Sequence, residues 1–287
     1  MTKGLENLGN TCYFNAALQC MLQVPQLSNY MIMKKIHTPC ECTLEYQKLV
    51  KSMWLHRSSC ENPVKFLTLF KNLYKQFDNR DQQDSHEMIM CFLDVLDKSI
   101  RPFKPVKFPG PEKDHSLIKE IFYGQCIQET ISTAGKTKCI DDTSCIMAVL
   151  THDTTLDTCL DDYTKWIFLD NYKDGEGNFH HVTTTRTLFW YMPYVLIVSF
   201  KMYTGKFKIT LPQEFDATRL VHPDSPRGQH TRYTLFATCT HHGSTRGGHY
   251  IAYTKHHGQW YAKDDGCVSK CTFPESEYHY IAFYKCI

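Results

Sequence analysis

Two residues at opposite ends of the chain could together perform nucleophilic chemistry. Cys12 stands directly after Gly9-Asn10-Thr11, where a helix is predicted to begin, and His249 follows two glycines. A thiol becomes a useful nucleophile when it is ionised, and both a helix amino terminus and a nearby imidazole favour the thiolate. A free cysteine is most often a small buried hydrophobic residue, so position alone leaves that interpretation of Cys12 open.

The residues around these two could supply the other parts of a catalytic site. Asn7 carries a side-chain amide that could donate to an oxyanion together with the backbone N–H of Cys12. Asp264 directly follows a strand predicted at Gln259 to Lys263, which would lie beside the strand of His249. A carboxylate in that position can accept a hydrogen bond from one imidazole nitrogen of His249, while the other nitrogen faces the thiol. A cysteine early in the chain with a histidine and an acid late is the order of papain-like peptidases.

The elements that position these residues divide the chain into a helical first part and a β-rich last part. Three helical segments are predicted from apolar periodicity and capping signals: about Cys12 to Gln23, capped by Asn10 or Thr11 and followed by Pro25; a mixed segment from about Leu44 to Phe77, interrupted near Asn62-Pro63; and a helix from Asp84 and Ser85 that ends at Arg101-Pro102.

A Pro- and Gly-rich passage from Phe103 to Gly110 is predicted to connect the two parts. Strands are predicted after it at Ile121 to Ser132, Ser144 to Leu150, Tyr194 to Phe200, Tyr233 to Cys239, His249 to Lys255, Gln259 to Lys263 and Tyr278 to Tyr284. Helices first and strands afterwards indicate an α+β fold rather than an alternating α/β fold.

Composition restricts the class of protein. The chain has 287 residues, a formal net charge of +2, 22% charged residues and 42% hydrophobic residues, as expected of a soluble globular protein without nucleic-acid partners. The amino terminus lacks the apolar core of a signal peptide, and no apolar run has the length of a membrane span. We therefore expect a cytoplasmic or nuclear monomer with no membrane partner, and mostly reduced thiols among its 14 cysteines.

Three blocks of the sequence resemble the motifs of the ubiquitin-specific protease family of deubiquitinating enzymes. Gly4 to Asn15 is similar to that family's cysteine box, Asp81 to Glu87 to its glutamine-aspartate box, and Gly247 to Asp265 to its histidine box. The resemblance covers nearly the whole chain. It implies a single papain-like catalytic domain over residues 1–287, with a helical thumb at about 4–107, fingers and part of the palm at about 108–190, and a β palm at about 191–287.

The same resemblance implies an activity and roles for individual residues. The enzyme would hydrolyse the peptide or isopeptide bond after the carboxy-terminal glycine of ubiquitin, through a thioester, so ubiquitin and ubiquitinated proteins are its expected partners. Carried over by position, Cys12 is the nucleophile, His249 the base and Asp264 the third triad member, while Asn7 lines the oxyanion hole. Asp265 is the second choice as the partner of His249.

The resemblance also implies contacts with the extended tail of ubiquitin. Gln83 and Asp84 are expected to accept from the tail's backbone amides, although capping of the helix by Asp84 is an alternative that can coexist with this role. The stretch from His241 to Gly248 is similar to a loop that moves over the tail in the family, or it is an ordinary hairpin loop. Further candidate substrate contacts are Gly247, Gly248 and Tyr250.

The chain departs from the family at its fingers. Many members hold zinc there with two Cys-x-x-Cys pairs, whereas Cys139 and Cys145 lie too far apart and the second pair is missing near Asn178 to His181. Structural zinc sites have regular ligand spacing, so Cys139 and Cys145, with His180 or His181, are weak ligand candidates. We expect no cofactor and no bound metal.

Two alternatives to a deubiquitinase stay open on the sequence. One is a peptidase for another ubiquitin-like modifier, because a catalytic triad recognises only the bond that is cleaved. The other is a non-catalytic protein that keeps the fold and binds ubiquitin in the groove, although the presence of Cys12, His249 and Asp264 argues against it.

Overall fold

The chain folds into a helical layer packed on a large β-sheet, with a second sheet extending from it. The computed structural model describes residues 3–38, 40–79, 81–101, 115–244 and 247–287. The α-helices among these residues are α1 Cys12–Met21, α2 Pro25–Met33, α3 Glu41–Leu55, α4 Val64–Leu73, α5 Ser85–Ser99, α6 Leu117–Phe122 and α7 Leu156–Thr164.

The strands lie mostly in the second half of the chain. In chain order they are β1 Gly4–Leu5, β2 Cys60–Glu61, β3 Gly124–Ser132, β4 Gly135–Thr143, β5 Ile146–Val149, β6 Thr154–Thr155, β7 Ile167–Leu169, β8 Tyr172–Lys173, β9 Phe179–His180, β10 Thr183–Tyr191, β11 Val195–Lys201, β12 Ile209–Thr210, β13 Glu214–Asp216, β14 Arg232–Ser244, β15 Gly247–His256, β16 Gln259–Asp264, β17 Cys267–Cys271, β18 Ser276–Glu277 and β19 His279–Cys286.

The large sheet has the strand order β17-β16-β15-β14-β19-β11-β5, with β13 paired to β14. Its neighbouring strands are antiparallel except β5, which runs parallel to β11. The second sheet has the order β4-β3-β10-β7 and projects from the first. The helices precede most of the strands, so the α+β fold predicted from the sequence is confirmed, while the boundaries of thumb, fingers and palm remain predictions.

The helix α1 is the central element of the interface between the helices and the large sheet. All ten of its residues are buried, and it packs against β14, β15 and β16. A helix that is surrounded on all sides can be apolar all round, as Phe14, Ala17 and Leu18 illustrate. The helix is therefore fixed in place by packing, and Cys12 sits at its amino-terminal end.

The helix boundaries agree with the sequence in part. α1 and α5 begin where predicted, and α3 and α4 account for the mixed segment. The cap of α1 was predicted wrongly, since the Thr11 side chain does not cap it and the Thr11 hydroxyl accepts from the Leu8 N–H at 2.9 Å. Pro25 does not merely follow α1 but begins α2, because the first position of a helix needs no N–H donor.

Several elements of the middle region were not predicted, among them α7, the exposed strand β4 and the long strand β10. The strand predicted from Ile121 begins only at Gly124, because Ile121 belongs to α6. The predicted connector from Phe103 to Gly110 lies outside the described residues. No helix among the residues that the structure describes combines the length and the apolar composition needed to cross a bilayer.

Candidate active site

Cys12 lies buried at the start of α1, against the strand that carries His249. Its side chain is nearly inaccessible, at 2% relative exposure, and α1 packs against β15, the strand that carries His249 and Tyr250. Burial raises the pKa of the Cys12 thiol and the carboxylate of Asp265 acts in the same direction, against the effect of the backbone hydrogen bonds. Forming the thiolate therefore calls for a base at this position.

His249 is paired with Asp264 across neighbouring strands. The Nε2 atom of His249, on β15, lies 2.6 Å from Oδ1 of Asp264, at the end of β16. Both side chains are partly exposed, at 41% and 52%. With Nε2 held by the carboxylate, Nδ1 is the nitrogen left to exchange a proton with a nucleophile. This is the pairing predicted for Asp264.

Asp265 binds two asparagines rather than His249. Its Oδ2 accepts from Nδ2 of Asn7 at 2.8 Å, and its Oδ1 accepts from Nδ2 of Asn15 at 2.7 Å. Its backbone has a φ of 49°, in the left-handed region, which directs the side chain towards the loop before Cys12. The two acids of the Asp264-Asp265 pair therefore do different things, one orienting the histidine and the other anchoring the loop.

The Asn7 side chain shapes the loop that leads into α1. Its Oδ1 accepts from the backbone N–H groups of Gly9 at 2.9 Å and Thr11 at 3.3 Å, while its amide nitrogen donates to Asp265. Among the described residues, Asp265 accepts a hydrogen bond from one of the two amide N–H groups of Asn7. The second N–H group is available to a ligand. Donation of this N–H group of Asn7 to an oxyanion remains a prediction.

The first strand brings this loop to the turn that carries Asp265. The Leu5 N–H donates to the backbone oxygen of Asp265 at 2.8 Å. At Gly4 a Cβ would lie only 2.3 Å from the backbone oxygen of Gly266, so a glycine is required for the close approach. The amino-terminal segment and the β16–β17 turn therefore act as one platform for Asn7.

Asp84 caps α5 and also closes an ion pair across the cleft beside the triad. Its Oδ1 accepts from the His86 N–H at 2.7 Å, which confirms the helix-capping alternative, and its Oδ2 accepts from Lys201 at 2.9 Å and from Tyr280 at 2.5 Å. Burial would raise the pKa of Asp84, but the Tyr280 hydroxyl and the Lys201 ammonium hold it below its usual range.

The cleft itself has a volume of about 370 Å³, and both Gln83 and Tyr250 line it, as does Asp84. Gln83 donates to Asn79 at 2.6 Å. The Tyr250 ring is stacked on His241, with centroids 4.3 Å apart, and is 5% exposed. Substrate contact by these side chains stays a prediction.

The stretch from His241 to Gly248 forms the paired ends of β14 and β15 as far as it is described. His241 faces Tyr250, His242 faces His249 and Gly243 faces Gly248 in an antiparallel ladder. A Cβ on Gly248 would lie 2.2 Å from Nε2 of His241, whereas one on Gly247 would meet open space. The geometry is that of a hairpin, and its motion over a substrate remains a prediction.

Comparison with known proteins gives the family. The family model described as ubiquitin carboxyl-terminal hydrolase matches residues 3–284. The chain belongs to this family. The resemblance to the ubiquitin-specific proteases found in the sequence is therefore confirmed.

The curated relatives are longer than this member of the family. Mouse ubiquitin carboxyl-terminal hydrolase 17-like protein B is 29% identical, over 98% of this chain and 63% of the mouse protein. Human ubiquitin carboxyl-terminal hydrolase 17-like protein 13 is 30% identical, over 98% of this chain and 55% of the human protein. The chain thus spans less than two thirds of the length of either relative.

A solved structure shares the fold. A chain of the SAGA Ubp8/Sgf11/Sus1/Sgf73 DUB module bound to ubiquitin aldehyde superposes with a TM-score of 0.80 at 22% identity, covering 99% of this chain and 69% of the other. The same module bound to monoubiquitin gives a TM-score of 0.82 at 21% identity. The palm, thumb and fingers architecture expected from the family resemblance rests on this likeness.

The family's zinc ligands have no assembled counterpart among the described residues. Cys139 is exposed and its thiol donates to Asp141, while the Cys145 thiol donates to the backbone of Ile146. His180 is buried with Nδ1 bonded to Thr133 at 2.7 Å and Nε2 bonded to Asp174 at 2.9 Å. The potential ligand atoms that do converge, within 4.8 Å, belong to His249, Asp264 and Asp265, whose hydrogen bonds have been described above.

Several residues of the site carried no signal strong enough to find them in the sequence. Asn15 lies three residues after Cys12 on the same face of α1, a spacing that could have indicated it. Lys201 is the last residue of the apolar strand β11. A cation at the end of a buried strand could also have indicated a site residue, but less strongly. Tyr280 is one tyrosine among 17. Its contact with Asp84 spans 196 positions and is visible only in the fold.

Proposed function

We propose that this protein is a cysteine-type deubiquitinase that hydrolyses the bond after the carboxy-terminal glycine of ubiquitin. The observation that carries the proposal is the pairing of His249 with Asp264 at 2.6 Å, on the strand β15 that packs against α1, at whose amino terminus Cys12 lies. Membership of the ubiquitin carboxyl-terminal hydrolase family supports ubiquitin as the modifier.

In the first half of the reaction, His249 Nδ1 takes the proton of Cys12 and Asp264 stabilises the resulting imidazolium through Nε2. The thiolate attacks the carbonyl carbon of the last glycine, a C–S bond forms, and the carbonyl oxygen becomes an oxyanion. The backbone N–H of Cys12 and the remaining N–H of Asn7 donate to that oxygen. Collapse breaks the C–N bond while His249 gives its proton to the departing lysine amine, which leaves a thioester on Cys12.

In the second half, His249 removes a proton from water, and the water oxygen attacks the thioester carbon. A second oxyanion forms at the same position and collapses with cleavage of the C–S bond. The products are the free carboxylate of ubiquitin and the Cys12 thiol. The role of Asp265 is to hold Asn7 and Asn15, and thereby the oxyanion donors, in place.

The tail of the substrate would enter through the cleft between α5 and the palm strands. His241 lines this cleft, and it lies so close to the backbone of Gly248 that a side chain at Gly248 would collide with it. Bare backbone beside the cleft suits a tail that ends in glycines, because glycine allows close approach. We propose that the tail's amides exchange partners with Lys201 at Asp84, and that Gln83 and Tyr250 line the path.

The proposal is tested by kinetics with coumarin derivatives of ubiquitin and of other ubiquitin-like modifiers. We expect hydrolysis of the ubiquitin derivative by the wild type and none by Cys12→Ala. Hydrolysis of another modifier alone would assign the activity to that modifier. No hydrolysis of any derivative, with ubiquitin still bound, would support a non-catalytic ubiquitin-binding protein and overturn the proposal.

A further inference from the structure

Three polar residues on one face of α1 lie against the strands that carry His249 and Asp264. Cys12, Asn15 and Gln19 are spaced three and four residues apart, so they form a single stripe along the helix. All three are buried, at 2%, 1% and 1% exposure. Cys12 faces β15, while the other two reach the residues on either side of Asp264.

The contact at the far end of this stripe is a buried lysine. The ammonium of Lys263, on β16, donates to Oε1 of Gln19 at 2.7 Å, and Nε2 of Gln19 donates to the backbone oxygen of Lys3 at 2.9 Å. Lys263 is 1% exposed. Asp264 therefore lies between two residues that are both bound to α1, Lys263 through Gln19 and Asp265 through Asn15.

The surroundings of Lys263 do not stabilise a charge. No described carboxylate forms an ion pair with it, and burial lowers its pKa to about 7. The titratable groups that interact electrostatically with it are the Cys20 thiol of α1, which contacts the Cys239 thiol of β14 at 3.4 Å, and His256 of β15.

A lysine in this position is costly, which suggests a role for its hydrogen bond. Burying an amine with one neutral acceptor is unfavourable, and an apolar side chain of similar length would fill the same space without that cost. The advantage of a lysine over an apolar residue is then the direction of its hydrogen bond, which fixes the position of Gln19 along β16.

We propose that the hydrogen bond between Lys263 and Gln19 is a positioning contact that sets the register of α1 on β16 and so holds Cys12 within reach of His249. The inference rests on the proposed function, since it concerns the same triad. A shift of about 1 Å between reacting groups can cost a large factor in rate, so a second anchor on the helix has a direct effect on catalysis. Lys263 and Gln19 touch no reacting atom and act only through Cys12 and Asp264.

The test compares variants of the two residues with a matched control. Lys263→Met and Gln19→Leu remove the hydrogen bond with little change in volume. Gln19→Glu keeps an acceptor oxygen for Lys263. The control is Lys255→Met on the neighbouring strand, because Lys255 also donates to a glutamine, Gln213, at 3.3 Å but lies outside the catalytic machinery.

Two quantities are measured for each variant: kcat and KM with ubiquitin aminomethylcoumarin, and the rate at which iodoacetamide alkylates Cys12, read from peptide masses. We expect Lys263→Met and Gln19→Leu to lower kcat about tenfold with KM within about twofold, and to slow alkylation of Cys12. The double variant should lose no more than Gln19→Leu alone, which already removes the hydrogen bond to Lys263 together with the one to the Lys3 backbone oxygen. Gln19→Glu keeps the acceptor for Lys263 but loses the donor to Lys3, so its kcat should exceed that of Gln19→Leu. Lys255→Met should stay within about twofold of the wild type in kcat.

The inference is overturned if Lys263→Met and Gln19→Leu keep both the wild-type kcat and the wild-type alkylation rate, or if Lys255→Met loses as much as they do. A variant that fails to fold is recognised by its circular dichroism, and the other variants then decide. If the wild type hydrolyses no ubiquitin derivative, the proposed function fails, whereas the alkylation rates still report whether Lys263 and Gln19 position Cys12.

Discussion

Two buried ionisable side chains, Glu129 on β3 and Lys263 on β16, have opposite kinds of surroundings. Glu129 is inaccessible to solvent, and its carboxylate is surrounded by Lys136 at 2.6 Å, Arg186 at 2.6 Å and His222 at 3.2 Å. Lys263 is also inaccessible, but among the described residues its hydrogen-bond acceptor is the amide oxygen of Gln19 alone. Burial would raise the pKa of Glu129, but its cationic partners lower it to about 2, while burial lowers the pKa of Lys263 to about 7.

The difference indicates what each charge does. The Glu129 carboxylate joins strands β3, β4 and β10 to the loop that carries His222, through close contacts with Lys136, Arg186 and His222. The Lys263 amine has no such set of oppositely charged partners among the described residues, and it lies next to Asp264, where the reaction needs accurate placement. The second sheet therefore uses a buried charge for cohesion, and the large sheet uses one for geometry.

The largest expected effect concerns the acids at the end of β16. Asp264→Asn removes the carboxylate that orients His249 and stabilises its imidazolium, so we expect kcat/KM for ubiquitin aminomethylcoumarin to fall about a thousandfold. Asp265→Asn is the matched control, because it keeps one acceptor oxygen for Asn7 or Asn15. A greater loss in Asp265→Asn than in Asp264→Asn would reverse the assignment of the two acids.

The next effect concerns Glu129. Glu129→Gln leaves the buried His222 and the partly exposed Arg186 without their carboxylate partner, and we expect the free energy of unfolding to fall by about 3 kcal/mol. Denaturant unfolding monitored by fluorescence measures the change. Because Glu129 serves stability and not the placement of the triad, we expect kcat with ubiquitin aminomethylcoumarin to stay unchanged in this variant. A fall in kcat with no loss of stability would contradict the contrast drawn between Glu129 and Lys263.

Stability should rise with pH for both groups, because each has a folded pKa below its unfolded value, but in separate pH ranges. The folded pKa of Lys263, about 7, lies below the unfolded value near 10.4, so the unfolded chain binds more protons between these pH values and stability rises with pH there. The gain is at most about 1.4 kcal/mol per pH unit. Unfolding of the wild type and of Lys263→Met from pH 7 to pH 10 should show this gain only in the wild type.

The contribution of Glu129 has the same sign but falls in a more acidic pH range. Its folded pKa is below the ordinary value, so its stabilisation is complete above pH 4.5 and is lost as the pH falls towards about 2. Comparison of the wild type with Glu129→Gln over this range isolates the carboxylate. A difference between the two proteins that grows as the pH falls would contradict the account.

The smallest effect is expected from metal removal. The Cys139 and Cys145 thiols donate within the protein and His180 is bonded at both ring nitrogens, so we expect EDTA to change the Tm by less than about 1 °C. Stoichiometric zinc in the purified protein, together with a lower Tm after chelation, would contradict this expectation.

The sequence predicted those features of the fold and site that depend on local signals. The start of α1 at Cys12, the capping of α5 by Asp84 and the strands around His249 and Asp264 follow from caps, periodicity and motif order. The start of α2 at Pro25 was not predicted, because proline can follow the end of one helix or occupy the first position of the next. β4 was missed because all of its residues are exposed or half-buried and it has no apolar alternation.

What could not be predicted depends on contacts between distant parts of the chain. A lysine in a strand pattern normally indicates the solvent face, and nothing near Lys263 in the sequence shows that it points at Gln19, 244 residues away. The pairing of Asp265 with Asn7 and Asn15, and of Asp84 with Lys201, is of the same kind. Local patterns carry no information about such partners until the fold places them together.

The most direct test of the central claim is to react the protein with ubiquitin bearing a propargylamide at its carboxy terminus and to map the adduct by peptide masses. The account predicts one ubiquitin per chain, attached at Cys12, with no adduct in Cys12→Ala and a much slower reaction in His249→Ala. An adduct on any other cysteine, or undiminished labelling of Cys12→Ala, would contradict the assignment of Cys12 as the nucleophile.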